Sequence, residues 1–222
     1  MVTVFLASIS DPPADRLQLN IPLNTIQFLC LHPSKWLRFV GWAIFLASEG
    51  YLSRDPDGND RLTDEAALTD ADILFYNAPG FHRGAVVDVD VVARRTKSQT
   101  SVNDLRDNNF SSDVMSRDGR CIFTHWRAEA SHIISFARGS EWMSILARKR
   151  SIDPRIENIN DKRNGLACNT AVHKMLDKRE VAILVTPNAI LDCNDVPLPT
   201  GPRNSSETRN RLLGSRYTLQ HI

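Results

Sequence analysis

Four polar side chains in the middle of the chain have types and spacings that could support hydrolytic chemistry: His132, Asn164, His173 and Asp177. His173 and Asp177 are four residues apart in "TAVHKMLD", so on a helix they share one face. An imidazole and a carboxylate on one face can bind a divalent cation if water and a phosphate group fill the other coordination positions. A neutral imidazole such as that of His132 can remove a proton from water.

Three predicted elements would position these side chains. "SHIISF" and "NGLACN" are short apolar segments typical of strands, and "TAVHKMLDK" has the period of a helix. Asn169 or Thr170 can cap that helix. In the order strand, strand, helix, His132 could point towards the helix residues. Asn164 opens the second strand, where its amide could hold the hairpin, orient His132 or serve only as a turn residue.

The flanking sequence predicts a small module around this core. A short helix is expected to carry Leu105, Phe110, Val114 and Met115, and Asp118-Gly119 indicates a tight turn. "CIFT" is predicted as a short strand, "GSEWMSILARKR" as a helix and "VAILVT" as a further strand. We place this module at residues 113–190.

The N-terminal part has the composition of a β-rich domain, which we place at residues 1–100. "VTVFLASI", "RLQLNIPL", "ADILFYNA" and "VVDVDVVARR" are predicted strands, and the polar segment "TKSQTSVND" is predicted to be a linker. The aromatic and β-branched residues after Trp36 favour strands there too. Several prolines and a glycine predict an irregular tail over residues 191–222. The predicted fold class is therefore α+β.

Composition indicates an intracellular protein, in the cytoplasm or nucleus. The chain has 222 residues, of which 42% are hydrophobic, which is enough for a core. Its four cysteines form no C-x-x-C pair, so we expect reduced thiols instead of a cysteine zinc site. "VGWAIFLAS" is far shorter than the ~20 residues of a membrane helix, and no secretory signal is recognisable.

Basic residues are concentrated around the polar cluster. Residues 113–179 carry 13 Lys and Arg against 8 Asp and Glu, a net charge of +5, although the whole chain has a net charge of only +1. Guanidinium and ammonium groups bind phosphate oxygens. The candidates for such contacts are Arg120, Arg138, Lys162, Arg163 and Lys174. Each of them could equally be part of a solvated surface.

Four segments resemble the HNH nucleases, in particular fungal proteins with HNH nuclease domains: "GRCIFT", "ASHIISFARGSE", "NDKRNGLACNTAVHKMLD" and "VAILVTPN". The resemblance implies a ββα-metal fold and hydrolysis of phosphodiester bonds in nucleic acid, DNA more often than RNA. It implies that His132 is the general base, that Asn164 supports the hairpin and orients that base, and that His173 is a metal ligand. Asp177 lies where some members place another ligand, although it could instead pair with Lys174 or Lys178.

The resemblance also implies a divalent cation. Mg²⁺ or Mn²⁺ suits a hydrated site with two protein ligands, and Zn²⁺ or Ni²⁺ is possible because one ligand is histidine. Ser131 stands where many HNH proteins have a metal-binding Asp or His. Two alternatives to an enzyme therefore remain: a nucleic-acid-binding module that does not cleave, and a structural protein in which His132 and His173 lie far apart.

Overall fold

The computed structural model describes residues 1–7, 17–45, 47, 49–78, 108–149, 155–178, 180–197 and 216–221. The chain divides into two compact units. Residues 1–91 and 185–217 form the first unit, and residues 92–184 and 218–222 form the second. The predicted mixture of helices and strands is confirmed.

The first unit contains a four-stranded sheet. Its strands are β1 (Val2–Ala7), β2 (Leu17–Ile21), β3 (Tyr51–Ser53) and β4 (Ile73–Asn77), in the order β2-β1-β4-β3. β1 pairs antiparallel with β2 and parallel with β4, and β3 pairs antiparallel with β4. Alternate residues of β1 and β4 are buried, as expected for strands with one face on the core. The strands predicted in "VTVFLASI", "RLQLNIPL" and "ADILFYNA" are confirmed.

The strand prediction after Trp36 was wrong, because this segment is helical. Helix α1 (Leu23–Leu29) is followed by α2 (Pro33–Phe45). Pro33 is the first residue of α2, where a missing backbone N–H costs no helical hydrogen bond. α2 buries Ser34, Trp36, Leu37 and Gly41, and this periodic burial outweighs the strand propensity of its aromatic and β-branched residues.

The second unit holds the predicted functional residues. Its helices are α3 (Asn108–Asp118), α4 (Gly139–Lys149) and α5 (Thr170–Asp177), and its strands are β5 (Glu129–His132) and β6 (Gly165–Cys168). β5 and β6 pair antiparallel, with His132 opposite Gly165. The predictions of a strand in "NGLACN" and of helices in "TAVHKMLDK" and "GSEWMSILARKR" agree with β6, α5 and α4.

The β5–β6 pair has a helix packed on each face. Phe110 and Val114 of α3 pack against Ala167, whereas Val172 of α5 packs with Leu166 and Cys168. Successive β6 side chains point to opposite faces, so α3 and α5 lie on opposite sides of the pair. A Cβ at residue 165 would overlap Val114 and Phe110, which explains why glycine stands where α3 crosses the hairpin.

Two strand predictions in this unit need correction. "CIFT" forms a turn, in which the His125 N–H donates to the Cys121 carbonyl at 2.8 Å. The strand predicted over "SHIISF" ends at His132, and residues 136–138 form a 3-10 turn. It ends there because the side chain of Asn164 takes both backbone polar groups of Ile134, leaving them unavailable for a strand ladder. The turn at Gly119, with φ +70°, agrees with the prediction.

The remaining strands are β7 (Val181–Thr186) and β8 (Arg216–His221), which pair in a two-stranded sheet. The segment 191–222 thus contains a strand and a 3-10 turn at Cys193–Asp195, so the tail is not irregular throughout. "VVDVDVVARR", the linker "TKSQTSVND" and Leu105 lie outside the described residues. No helix within the described ranges is long and apolar enough to span a membrane.

Candidate functional site

His132, His173 and Asp177 line one open pocket of about 560 Å³ in the second unit. The pocket lies between the end of β5 and the C-terminal half of α5. Three of the four predicted site residues are thus brought together from segments up to 45 residues apart. Asn164, the fourth, is buried at the base of the hairpin.

The contacts of His132 include ring stacking and a hydrogen bond. Its imidazole stacks on Phe110 of α3, with ring centroids 3.9 Å apart and planes 7° from parallel. Its Nε2 lies 3.2 Å from Oδ1 of Asn160. An amide oxygen only accepts hydrogen bonds, so Nε2 carries the proton of the neutral ring. The basic lone pair of that tautomer is on Nδ1.

Asn164 ties the segment after β5 to the segment before β6. Its side chain is 3% exposed. Nδ2 donates to the carbonyls of Ile134 at 3.1 Å and Ile159 at 2.9 Å, and Oδ1 accepts from the Ile134 N–H at 2.8 Å. Its backbone carbonyl accepts a further hydrogen bond from Ile133 at 2.7 Å. These contacts fix the backbone immediately after His132.

Replacing Asn164 by alanine is therefore expected to destabilise the second unit. The substitution leaves buried backbone groups of Ile134 and Ile159 without partners, and we expect the free energy of unfolding to fall by about 2–4 kcal/mol. Urea denaturation followed by circular dichroism measures the loss. Ser116→Ala, at an exposed position of α3, is the control, with an expected change below about 0.5 kcal/mol. Equal midpoints for the two variants would contradict the role given to Asn164.

His173 lies between two carboxylates. Its Nδ1 is 2.9 Å from Oε1 of Glu129, and its Nε2 is 3.7 Å from Oδ2 of Asp177, one helical turn away. Asp177 is 73% exposed at its side chain, so its carboxylate faces solvent at the pocket. Because the Nδ1 contact is much the shorter, the proton of neutral His173 belongs on Nδ1. The Nε2 lone pair then faces the Asp177 carboxylate. A cation between these two electron-pair donors is electrostatically favourable.

A hydrated divalent cation fits this pair of donors. Ligands about 2.1 Å from one ion can be up to about 4.2 Å apart, so the 3.7 Å between Nε2 and Oδ2 leaves room for one ion. No group of three His, Cys, Asp or Glu side chains in the described part of the chain could hold a metal together. Water or substrate oxygens would have to complete the coordination, as is usual for Mg²⁺, and a closed structural zinc site does not fit.

Ser131 is among the residues that line the pocket, but it is almost entirely buried. The residue is 3% exposed, and its hydroxyl donates to the backbone carbonyl of His132 at 3.5 Å. Burial raises the pKa of the neighbouring Cys168 thiol to about 11, as expected for a cysteine in the core.

None of the five predicted phosphate-binding residues lines the pocket. Arg120, Lys162 and Lys174 are exposed. Arg138 lies with its guanidinium carbon 5.7 Å from the centre of the Trp142 ring. Arg163 forms a 2.6 Å ion pair with Asp161 and lowers the pKa of that carboxyl. Arg163 is thus partly committed to an internal pair.

Sequence reasoning missed three side chains that hold the two histidines: Phe110, Glu129 and Asn160. The spacing of Glu129 could have identified it. Residues two apart on a strand share a face, and Glu129 lies two residues before Ser131, where many HNH proteins have a metal ligand. Phe110 was identified only as a helix residue. Nothing in the spacing of Asn160 distinguished it from the other polar residues of its loop.

An arginine clamp was also missed. Arg117 donates to the carbonyls of Lys162 and Gly165, both at 2.7 Å, and pairs with Asp118 at 2.6 Å. Asp118 in turn accepts from the Ala167 N–H at 2.9 Å. The end of α3 is thereby fixed to β6, so the surface carrying Phe110 keeps its position beside His132.

Residues 117–184 match the family model described as HNH endonuclease. The match includes β5, β6 and α5 and all four predicted site residues, and it confirms the resemblance found in the sequence for this segment. A search of curated proteins and a search of solved structures found no match to the chain.

Proposed function

We propose that this protein is a metal-dependent endonuclease that hydrolyses phosphodiester bonds in nucleic acid, with DNA preferred over RNA. Its nuclease domain comprises residues 113–190, with β5, β6 and α5 as a ββα-metal module. The observation that carries the proposal is the convergence of His132, His173 and Asp177 on one pocket within the HNH segment.

His132 is the general base in this proposal. Its Nε2–H donates to Asn160, so Nδ1 accepts the proton of a water molecule that attacks phosphorus. Stacking on Phe110 fixes the ring plane, and Asn164 fixes the backbone that follows. The base is thus oriented before the substrate arrives, which lowers the entropic cost of the reaction.

His173 and Asp177 would hold the divalent cation. Such an ion supplies positive charge that stabilises the phosphorane-like transition state and the leaving oxygen. Mg²⁺ or Mn²⁺ suits the two-ligand, largely hydrated site best, and Zn²⁺ or Ni²⁺ is compatible with the histidine. Glu129 orients His173 by accepting a hydrogen bond from its Nδ1–H, which directs Nε2 towards Asp177.

The role of Glu129 predicts weaker metal binding in Glu129→Gln. A glutamine amide accepts a weaker hydrogen bond from Nδ1–H, and its NH₂ group can instead donate a hydrogen bond to the ring. The orientation of His173 is then lost. We expect the Kd for Mn²⁺, measured by isothermal titration calorimetry, to rise about 10- to 100-fold. Glu141→Gln, on the exposed side of α4, is the control and should bind Mn²⁺ as the parent protein does. Equal Kd values for both variants would exclude the orienting role.

A plasmid-nicking assay tests the proposed activity. Purified protein is incubated with supercoiled plasmid DNA, and in parallel with a folded RNA, in the presence of Mg²⁺, Mn²⁺ or EDTA. We expect nicked and then linear DNA with either metal, intact DNA with EDTA, and slower RNA cleavage. Intact DNA and RNA under all metal conditions would contradict the proposal.

The second candidate function is a nucleic-acid-binding module that does not cleave. It is favoured by the burial of Ser131, which leaves only two donors for a metal where many HNH proteins have more. In that case gel-shift experiments would show bound nucleic acid, no metal would produce nicks, and His132→Ala would bind with unchanged affinity.

A further inference from the structure

A second groove adjoins the proposed active pocket and displays an exposed tryptophan. The groove has a volume of about 680 Å³ and is lined by Trp126, Arg127, Ala128, Glu129 and the start of α5 at Asn169–Ala171. Glu129, which lines the groove, hydrogen-bonds to His173, which lines the pocket, so this contact links groove and pocket. Trp126 is 73% exposed, whereas Trp36 is 7% exposed.

The turn that presents Trp126 is held rigidly. The Cys121 N–H donates to the Trp126 carbonyl at 3.0 Å, and the His125 N–H donates to the Cys121 carbonyl at 2.8 Å. His125 has a φ of +58°, a conformation that non-glycine residues rarely adopt. Asn169, at the start of α5, donates to the Thr124 hydroxyl at 3.0 Å. A tryptophan on a fixed backbone has only two side-chain torsions left to restrict, so it loses little conformational entropy when a ligand covers it.

The chemistry of the groove fits a nucleotide. An indole face stacks on any nucleobase, and the exposed guanidinium of Arg127 can bind the adjoining phosphate in a bidentate manner. Arg120 extends the positive charge along the same turn, because its Nη1 lies 3.5 Å from the His125 carbonyl. A base within a duplex is stacked on its neighbours and has no face available, so the ligand must be an unpaired base.

We propose that Trp126 is a stacking platform for an unpaired nucleobase next to the cleaved phosphate, with Arg127 binding the neighbouring phosphate. This inference rests on the proposed nuclease function and adds a preference for single-stranded, frayed or distorted substrate segments. A protein partner that inserts an aromatic residue is the competing occupant, and it predicts no response to oligonucleotides.

The test is a fluorescence titration of the full chain with a single-stranded oligonucleotide in EDTA. We expect quenching of tryptophan emission in the parent protein, and weaker quenching by a duplex of the same sequence. Stacking on an aromatic side chain contributes enough that Trp126→Ala should weaken single-strand binding, measured by anisotropy of a labelled oligonucleotide, about 5- to 100-fold. Trp126→Phe retains an aromatic face and should lose less affinity.

Phe28→Ala is the matched control, because Phe28 is 78% exposed in the other unit and should bind the oligonucleotide normally. Unquenched emission in the parent protein, or equal affinities of Trp126→Ala and Phe28→Ala, would overturn the inference. Plasmid nicking by a protein with those results would leave the nuclease function standing. Quenching that depends on Trp126, in a protein that cleaves nothing, would support the stacking site and refute the nuclease.

Discussion

His132→Ala is expected to reduce the rate of DNA cleavage by about 10²- to 10⁴-fold, the usual contribution of a general base. The variant removes the only group that we assign to proton abstraction from water, while leaving His173 and Asp177 in place. It should therefore bind Mn²⁺ with the affinity of the parent protein. Single-turnover cleavage of a labelled duplex with saturating metal measures the effect on the chemical step.

Two controls separate chemistry from folding. His132→Ala also removes a ring that stacks on Phe110, so its urea midpoint must be measured alongside its rate. His32→Gln removes a histidine from the first unit and should cleave normally. A His132→Ala protein that is folded and cleaves within about threefold of the parent rate would exclude His132 as the base, since a true general base contributes far more.

His173→Ala is expected to lose both metal binding and cleavage. The substitution removes one of two protein donors, and the remaining carboxylate, Asp177, is largely exposed and binds a hydrated cation only weakly. We expect the Kd for Mn²⁺ to rise by at least about 100-fold, because losing a direct ligand costs more than losing an orienting partner. Calorimetry measures this loss without any dependence on activity.

Asp177→Asn and Lys174→Ala refine this result. Asp177→Asn keeps the shape of the side chain but loses its charge, so it should weaken metal binding less than His173→Ala does. Lys174 lies on an exposed part of α5, so the Lys174→Ala protein should bind Mn²⁺ normally. It should bind nucleic acid more weakly, because Lys174 is a predicted phosphate contact. Tight Mn²⁺ binding by His173→Ala would place the ion elsewhere.

Local sequence signals were sufficient to predict the second strand and the helix of the proposed site. The step from Asn164 to His173 and Asp177 encodes a strand, an asparagine cap and a helix with two polar residues on one face, and each of these depends on residues close in sequence. The cap at Asn169, which accepts from the Val172 N–H at 2.9 Å, is such a feature. Once the two strands were assumed to form a hairpin beside the helix, His132 was expected to point towards the same pocket.

Apart from "CIFT", which forms a local turn, the errors and omissions involve contacts between segments distant in the chain. α2 was predicted as strand because its local composition does not reveal that it packs against Tyr76. This contact is close, since a Cβ on Gly41 would overlap the Tyr76 ring. Glu129 reaches His173 across 44 residues and Phe110 reaches His132 across 22. Residue type alone does not reveal such pairs, since each of these side chains is ordinary for its own element.

Paramagnetic broadening by Mn²⁺ tests most directly whether the two histidines meet around one ion. The six histidines give ring proton signals that can be assigned by single substitutions. Substoichiometric Mn²⁺ should broaden the signals of His173 and His132 first, and His173→Ala should leave the His132 signals sharp at the same Mn²⁺ concentration. Sharp His132 signals in the parent protein while His173 broadens, or broadening that persists in His173→Ala, would contradict a shared metal-dependent site.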